Sequence, residues 1–236
     1  MARRTAPASW PVHTPSGAAR VHLHAVPHGR PRATLVLGHG IGGGVDAPDL
    51  VAIAAALPAD GIEVVLVEQP WRVAGRRVGG PAPTLDAAWE ACLHDLHGRG
   101  IGTRRLVTGG RSAGARVACR TVGTAEPDAL LLLAFPLWPA PRPSIQEPVS
   151  RLPELVAAAA TVPTVVVQGA RDRMGSPGEL AVGLAEANVA VRVVPVPAAD
   201  HGFAVPARGA VTHEQALDLV VRAARATALR IISGRY

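Results

Sequence analysis

Short aliphatic runs alternate with longer helical patterns along most of the chain. Six runs rich in Val and Leu are predicted to be strands: Thr34–Leu37, Glu63–Glu68, Arg105–Thr108, Ala129–Phe135, Thr164–Gln168 and Val191–Val196. Helical patterns lie between and after them, at Asp49–Leu57, Thr84–Gly98, Ala113 to about Val122, Pro177–Ala187 and about Thr212–Ile231. Because strands that alternate with helices are typical of βαβ units, we predict an α/β fold with a mostly parallel sheet and helices on both faces.

The start of the chain departs from this alternation. Residues 1–12 are predicted to form a flexible N-terminal tail. The following segment Arg20–Pro27 alternates apolar and polar residues, which predicts an exposed antiparallel edge strand. Since 236 residues suffice for one full core but are too few for two comfortable domains, residues 13–236 are predicted to form a single domain.

Composition narrows the classes of function. Hydrophobic residues make up 48% and charged residues 18% of the chain, which is typical of a globular protein. The formal net charge is +6, and all 24 basic residues are Arg. These arginines are scattered and do not gather on one element, as a helix that enters a DNA groove would require. We therefore expect no nucleic-acid partner.

Cysteine content and apolar runs bear on the compartment. Cys92 and Cys119 both lie in apolar, helical contexts, so we predict buried free thiols and no disulfide framework. The first residues carry positive charge but no apolar stretch, so a secretory signal is not expected. The most apolar run, Ala129–Trp138, is too short to span a bilayer. A cytoplasmic protein without a membrane span is the expectation.

The segment Gly110-Arg111-Ser112-Ala113-Gly114 matches the pattern G-x-S-x-G. A nucleophile on a sharp turn between a strand and a helix requires neighbours without side chains two positions before and after it. The predicted strand Arg105–Thr108 precedes this segment and a helical pattern follows it, which is the context that the pattern requires. Ser112 is therefore the candidate nucleophile, and a glycine-rich turn without chemistry is the alternative.

A serine nucleophile needs a base and a carboxylate that orients the base. Asp172 directly follows the strand that ends at Gln168, and His201 follows the strand that ends at Val196. The carboxyl ends of parallel strands meet at one edge of a sheet, where sites form in α/β proteins. Asp172 and His201 are therefore the candidate acid and base, although a surface ion pair and a helix cap are the alternatives for them.

Other residues compete for these roles. Asp200 and Glu68 are alternative acids, because each lies at or near the end of a strand. The remaining histidines fit less well, since they fall at a helix start, within a helix or on the predicted edge strand: His213, His94, His97, His22 and His24. The spacing of His94 and His97 could present two metal ligands on one helix face, but no further Cys or carboxylate completes a set. No metal site and no cofactor are predicted.

The glycine-rich segment 38–44 follows the first buried strand. An oxyanion hole needs one backbone N–H from such a loop and one from the residue after the nucleophile. This requirement nominates Ile41 and Ala113. A dinucleotide-binding loop is the alternative, because the spacing G-x-G-x-x-G is present. The acid that such a loop needs to bind a ribose is not at the expected distance, since Glu68 comes roughly thirty residues later.

Four segments, in this order, carry a resemblance to a known family: GHGIGGG, GGRSAGAR, QGARDRMG and DHGF. They resemble the dienelactone-hydrolase-like part of the α/β-hydrolase superfamily. The similarity is greatest to small bacterial relatives of the animal testis-expressed hydrolase-fold protein and of a hydrolase-fold subunit of the nonspecific-lethal chromatin complex. It covers about Ala33 to the C-terminus. Dienelactone hydrolases have Cys where this chain has Ser112, so their substrate is not carried over.

The resemblance implies an α/β-hydrolase fold, and the short segment between the predicted strands Ala129–Phe135 and Thr164–Gln168 leaves no room for a large lid. The resemblance also implies Ser112 as nucleophile, Asp172 as acid, His201 as base, and Ile41 and Ala113 as oxyanion donors. The expected reaction is the hydrolysis of an ester or thioester of a small-molecule acyl substrate by a monomer or homodimer. Because members associated with chromatin keep the same fold, a non-catalytic protein-interaction module is the alternative function.

Overall fold

One eight-stranded sheet organises the chain in the computed structural model, which describes residues 7–139 and 149–234. The strands are β1 (Ala8–Thr14), β2 (Gly17–His24), β3 (Ala33–Gly38), β4 (Ile62–Glu68), β5 (Leu106–Arg111), β6 (Ala129–Leu133), β7 (Thr164–Gly169) and β8 (Arg192–Val196). They lie in the order β1-β2-β4-β3-β5-β6-β7-β8. The pairs β1–β2 and β2–β4 are antiparallel, and the other pairs are parallel. The prediction of a mostly parallel sheet is therefore confirmed.

Helices connect the strands and cover the sheet. Those in the described part of the chain are α1 (Pro48–Ala56), α2 (Pro70–Val73), α3 (Ala82–Gly98), α4 (Ala113–Arg120), α5 (Val122–Ala125), α6 (Leu152–Ala159), α7 (Pro177–Glu186) and α8 (His213–Ser233). The sequence patterns placed α1, α3, α4, α7 and α8 to within a few residues. They missed the single turns α2 and α5, which are too short to show a helical period, and the two-turn helix α6.

The central strands are buried on both faces, which explains their continuous aliphatic runs. In β3, Leu35 and Leu37 join the core beneath α1 and α8, and Val36 joins the core beneath α3 and α4. A third cluster packs α4, α6 and α7 against β6 and β7 on the same face as α3. Alternate side chains of a strand point to opposite faces, so each strand supplies two cores. The predicted helices on both faces are confirmed.

The predicted N-terminal tail is wrong for residues 8–12, since these residues belong to β1. Trp10 Nε1 donates to Asp95 Oδ2 at 2.7 Å, and the Arg99 guanidinium lies 4.7 Å from the centre of the Trp10 ring. Val12 is buried on the same strand. Trp10 and Val12 lie two residues apart, with Pro11 between them and the polar residues Ser9 and His13 on either side, a period-two pattern that the tail prediction overlooked. Residues 1–6 of that prediction lie outside the described residues.

The placement of the second strand also needs correction. The alternating segment Arg20–Pro27 was predicted to be an edge strand, but the corresponding strand β2 lies between β1 and β4. Its antiparallel direction is as predicted. The edge position is wrong because β1 covers the outer side of β2, and β1 and β8 are the edges of the sheet.

The connection from β6 to α6 comprises residues 134–151, of which residues 140–148 lie outside the described part. This connection is too short for a large lid. Among the described residues, no helix combines the length and the apolar character that crossing a membrane requires.

Candidate active site

Ser112 lies on the sharp turn that joins β5 to α4. Its φ of 54° and ψ of −110° fall in a region that residues other than glycine seldom adopt. The Ser112 backbone N–H donates to the Leu133 carbonyl at 2.9 Å, which ties the turn to the end of β6. Because α4 begins at Ala113, the first N–H groups of this helix lie beside the Ser112 side chain.

The glycines of the G-x-S-x-G segment let two backbones approach closely. A Cβ atom on Gly114 would lie 2.6 Å from the carbonyl carbon and oxygen of Gly38, the last residue of β3. A Cβ atom on Gly110 would lie 2.6 Å from the same oxygen. Since Cβ atoms do not come this close to other atoms in proteins, glycine is required at both positions, and the turn around Ser112 stands directly against the end of β3.

The structure brings the predicted nucleophile, base and acid into one hydrogen-bonded chain. His201 Nε2 lies 2.9 Å from Ser112 Oγ, and His201 Nδ1 lies 2.8 Å from Asp172 Oδ2. The Asp172 side chain is fully buried, whereas that of His201 is 26% exposed. The acid is therefore shielded from water, and the ring that it contacts is partly open to solvent.

Gln168 holds the Asp172 carboxylate, and the sequence analysis did not single it out. Its Nε2 donates to Asp172 Oδ2 at 2.9 Å and also contacts the carbonyls of Phe135 and Gly175, at 3.1 and 2.7 Å. The Met174 backbone N–H donates to Asp172 Oδ1 at 2.8 Å. Both carboxylate oxygens thus have donors besides His201. The signal in the sequence was a buried polar residue at the end of an otherwise aliphatic strand.

The alternative acids are engaged elsewhere. Glu68 Oε2 lies 3.3 Å from His22 Nε2. Asp200 Oδ1 accepts hydrogen bonds from the backbone N–H groups of Gly202 and Ala204, at 2.8 and 2.9 Å, and so stabilises the turn that carries His201. Neither carboxylate contacts the His201 ring.

The alternative bases lie apart from the site. His94 and His97 are exposed on α3, and His213 begins α8. His22 lies on β2 beside Glu68. Within residues 7–139 and 149–234, no group of three or more His, Cys, Asp and Glu side chains is arranged to hold a metal ion.

Both cysteines are buried free thiols, as predicted. Burial raises the pKa of Cys92 to about 12, and burial also raises the pKa of Cys119. A thiol reacts as the thiolate, so neither group is suited to act as a nucleophile near neutral pH.

His39 braces the glycine-rich loop after β3, a role that the sequence analysis missed. Its Nε2 accepts a hydrogen bond from the Gln69 backbone N–H at 3.0 Å, and its Nδ1 lies 2.9 Å from the Gly40 carbonyl oxygen. Since Nε2 must accept, Nδ1 carries the proton and donates to Gly40. Burial lowers the pKa of His39, which favours this neutral ring. The ring also packs edge-on against Trp71, with 5.3 Å between centroids.

Ile41 and Ala113, the predicted oxyanion donors, line one small cavity beside Ser112. The cavity wall also includes apolar side chains from three helices, Trp71, Leu85, Trp89 and Val117. Among the residues that the structure describes, neither the Ile41 nor the Ala113 backbone N–H has a hydrogen-bond acceptor. Both residues thus line the cavity, and each has a backbone donor without an acceptor among the described residues.

Comparison with known proteins agrees with this architecture. Residues 31–229 match the family model of the alpha/beta hydrolase domain. The match spans most of the chain, which therefore belongs to the alpha/beta hydrolase domain family, and the predicted α/β-hydrolase fold is confirmed. No curated protein matches the sequence.

Solved structures share the fold at low sequence identity. A serine hydrolase homologue from Coxiella burnetii is 16% identical with a TM-score of 0.71, and the match covers 92% of this chain and 97% of that one. A serine hydrolase without a lid from Xanthomonas campestris is 21% identical with a TM-score of 0.68, over 96% and 94%. Est1E from Butyrivibrio proteoclasticus is 13% identical with a TM-score of 0.68, over 95% and 99%.

The close approach of Gly114 to Gly38 predicts a large stability effect. Gly114→Ala should lower the free energy of unfolding by about 1–3 kcal/mol or more, because its Cβ overlaps the β3 backbone. Gly123→Ala is the matched control, since a Cβ there meets open space on α5, and it should be neutral or stabilising by up to about 1 kcal/mol. Urea unfolding of both variants measures the difference, and equal stabilities would contradict the packing argument.

The neutral His39 ring predicts a pH dependence of stability. Because its folded pKa lies below the usual 6.5, the unfolded chain takes up this proton first as the pH falls. The contribution of His39 is therefore complete above about pH 6.5 and is lost as the pH drops toward the lowered pKa. His39→Gln should be less stable by about 1–3 kcal/mol near pH 8 and should lose less stability than the wild type between about pH 8 and pH 5.5.

Thermal unfolding across this pH range tests the prediction, with His94→Gln as the control. His94 is exposed on α3, so its removal should leave the wild-type pH dependence intact. The remaining histidines are common to all three proteins and cancel in the comparison. A His39→Gln profile parallel to that of the wild type would show that His39 is not the titrating group.

Proposed function

We propose that this protein is a serine hydrolase that cleaves an ester or thioester by acyl transfer to water. The observation that carries the proposal is the chain of hydrogen bonds from Asp172 through His201 to Ser112, at 2.8 and 2.9 Å. Asp172, His201 and Ser112 follow β7, β8 and β5, respectively. Because these strands are parallel, their carboxyl ends lie at the same end of the sheet. Membership of the alpha/beta hydrolase domain family agrees with this reaction class.

The protonation states needed for catalysis follow from the hydrogen bonds. An ionised Asp172 only accepts, so the Nδ1 atom of His201 carries a proton and Nε2 is left with a lone pair. Nε2 can then take the proton of Ser112 Oγ, 2.9 Å away. The buried carboxylate also stabilises the imidazolium that results. Gln168 and Met174 hold Asp172 in place, so the carboxylate does not need to rearrange during the reaction.

The reaction takes place in two transfers. Ser112 Oγ bonds to the acyl carbon while its proton passes to His201, and the carbonyl oxygen takes the negative charge beside the Ile41 and Ala113 N–H groups. The bond to the alcohol or thiol then breaks, and that group leaves with the proton from His201. Water attacks the acyl-serine in the same way and releases the carboxylic acid, which restores Ser112 and His201.

The cavity that Ile41 and Ala113 line has room for little more than one water molecule, so a small-molecule substrate with a short acyl group is expected. Trp71, Trp89 and Val117 give the cavity an apolar wall, so an uncharged acyl chain fits it better than a charged one. The short connection from β6 to α6 leaves the serine accessible without the opening of a large lid. The reaction requires no cofactor, because the side chains and backbone donors named above supply every proton transfer and the charge stabilisation.

Labelling with a fluorophosphonate probe tests the nucleophile. The wild-type protein should react with the probe and hydrolyse short-chain p-nitrophenyl esters, whereas Ser112→Ala should not be labelled and should lose at least about 10³-fold in kcat. Denatured wild-type protein is the control for labelling of the unfolded chain. If the folded wild type is labelled no more than Ser112→Ala, the hydrolase proposal fails, and a protein-interaction role on this scaffold becomes the better explanation.

Two matched carboxylate variants test the acid. Asp172→Asn should lower kcat by about 10⁴-fold, because an amide donor at this position favours the wrong tautomer of His201. Asp200→Asn should change kcat by less than about threefold, since its amide oxygen can still accept from Gly202 and Ala204. Steady-state kinetics on the same ester measure both variants. A larger loss for Asp200→Asn than for Asp172→Asn would reverse the assignment of the acid.

A further inference from the structure

Arg111, the last residue of β5, carries a largely buried guanidinium beside the candidate nucleophile. Its side chain is 14% exposed, and its Nε lies 3.4 Å from Oδ2 of Asp49, a side chain with no exposed surface. Asp49 belongs to the first turn of α1, the helix that follows the glycine-rich loop. Burial raises the pKa of the Asp49 carboxyl, and the charge of Arg111 opposes this effect. The two residues form a buried ion pair beneath the site.

The same guanidinium contacts the loop that carries His201. Its Nη2 donates to the main-chain carbonyl of His201 at 3.2 Å. A Cβ atom on Gly202 would lie 3.5 Å from Nη2, and one on Gly40 would lie 3.3 Å from Nη1. Arg111 therefore fills the space between the glycine-rich loop and the turn after β8.

The turn around His201 is tied to the loop after β7, where the Arg171 backbone N–H donates to the Ala199 carbonyl at 2.8 Å. Within the turn, Asp200 N–H donates to the Ala204 carbonyl at 2.9 Å, and Phe203 N–H donates to the Asp200 carbonyl at 3.0 Å. These bonds fix the shape of the turn but not its distance from Ser112, which belongs to another strand. The hydrogen bond from Arg111 to the His201 carbonyl links the turn directly to the residue that precedes the nucleophile.

A buried ion pair alone seldom adds stability, because removing two charges from water costs about as much as their attraction returns. The planar guanidinium, however, can contact a carboxylate through one edge and a carbonyl through another. Lysine, with a single ammonium group, cannot span both partners in the same way. The pair therefore has a geometric use that its contribution to stability does not explain.

We propose that Arg111 is a positioning residue: anchored by Asp49, it holds the main chain of His201 at the distance from Ser112 that proton transfer requires. This inference rests on the proposed serine hydrolase function. Arg111 does not touch the reacting atoms, so its loss should lower kcat while KM stays nearly constant. The same loss should slow the reaction of Ser112 with a fluorophosphonate, because that reaction also needs the base.

Four variants test the proposal. Arg111→Met should lower kcat by about 10- to 100-fold, the order of loss expected when a catalytic group is misplaced by about 1 Å. Arg111→Lys should lie between this variant and the wild type. Asp49→Asn should lower kcat by a smaller factor, because it frees the anchored guanidinium. The double variant Asp49→Asn/Arg111→Met should recover stability, since no unpaired charge stays buried, but should keep the low kcat of Arg111→Met.

Arg116→Met is the matched control. Arg116 lies on α4 and is also partly buried, and its Nε donates to Glu154 Oε2 at 2.8 Å, but its side chain contacts neither His201 nor the glycine-rich loop. Its removal should lower stability and leave kcat unchanged. All variants are assayed on the same ester at a temperature where circular dichroism shows them folded. If Arg111→Met does not fold, Arg111→Lys and Asp49→Asn decide the question against the same control.

Three outcomes would overturn the positioning role. The first is a kcat for Arg111→Met no lower than that of Arg116→Met. The second is a recovery of kcat together with stability in the double variant. The third is a rise in the KM of Arg111→Met at constant kcat, which would make Arg111 a substrate-binding residue. Ser112→Ala, assayed in parallel, separates this inference from the proposed function. If that variant keeps wild-type activity, the proposed function is wrong; if it is inactive, these outcomes bear on Arg111 alone.

Discussion

The contact between the end of β3 and the start of α4 determines the geometry of the site. Gly38 and Gly114 meet without side chains between them, so the turn that carries Ser112 stands against the loop that carries Ile41. A side chain at Gly110 or Gly114, the two glycines of the G-x-S-x-G segment, would push the two backbones apart. Ile41 of the loop and Ala113 of the helix would then no longer line one cavity. The chemistry proposed for Ser112 thus depends on the absence of side chains at these glycines.

The remaining parts of the site illustrate how buried polar groups are arranged around such a contact. The Asp172 carboxylate accepts from Gln168, Met174 and His201, so its burial leaves neither oxygen without a donor. His39 similarly uses both ring nitrogens, on the backbone of two different loops. Each network joins loops that follow separate strands. Together they give His201 and Ser112 a rigid support at the end of the sheet where the parallel strands terminate.

Much of this arrangement could be predicted from the sequence, because it depends on chain order and local pattern. Aliphatic runs located the central strands, and the residues directly after them located Ser112, Asp172 and His201. For Gln168 the only signal was a polar residue at the end of an aliphatic strand. His39 and Asp49 could not be recognised, since their partners Gln69 and Arg111 come from distant segments and leave no periodic signal. The strand β1 was missed for a different reason: its alternation spans only seven residues and includes a proline.

The two edges of the sheet have a consequence for how the protein meets other chains. An edge strand presents unpaired N–H and C=O groups to which a strand from another molecule can add. Pro11 lies within β1 and Pro195 lies within β8, and proline has no N–H to offer to a neighbouring strand. Each edge strand therefore lacks one backbone N–H group. Proline in both edge strands therefore disfavours the addition of a strand from another chain.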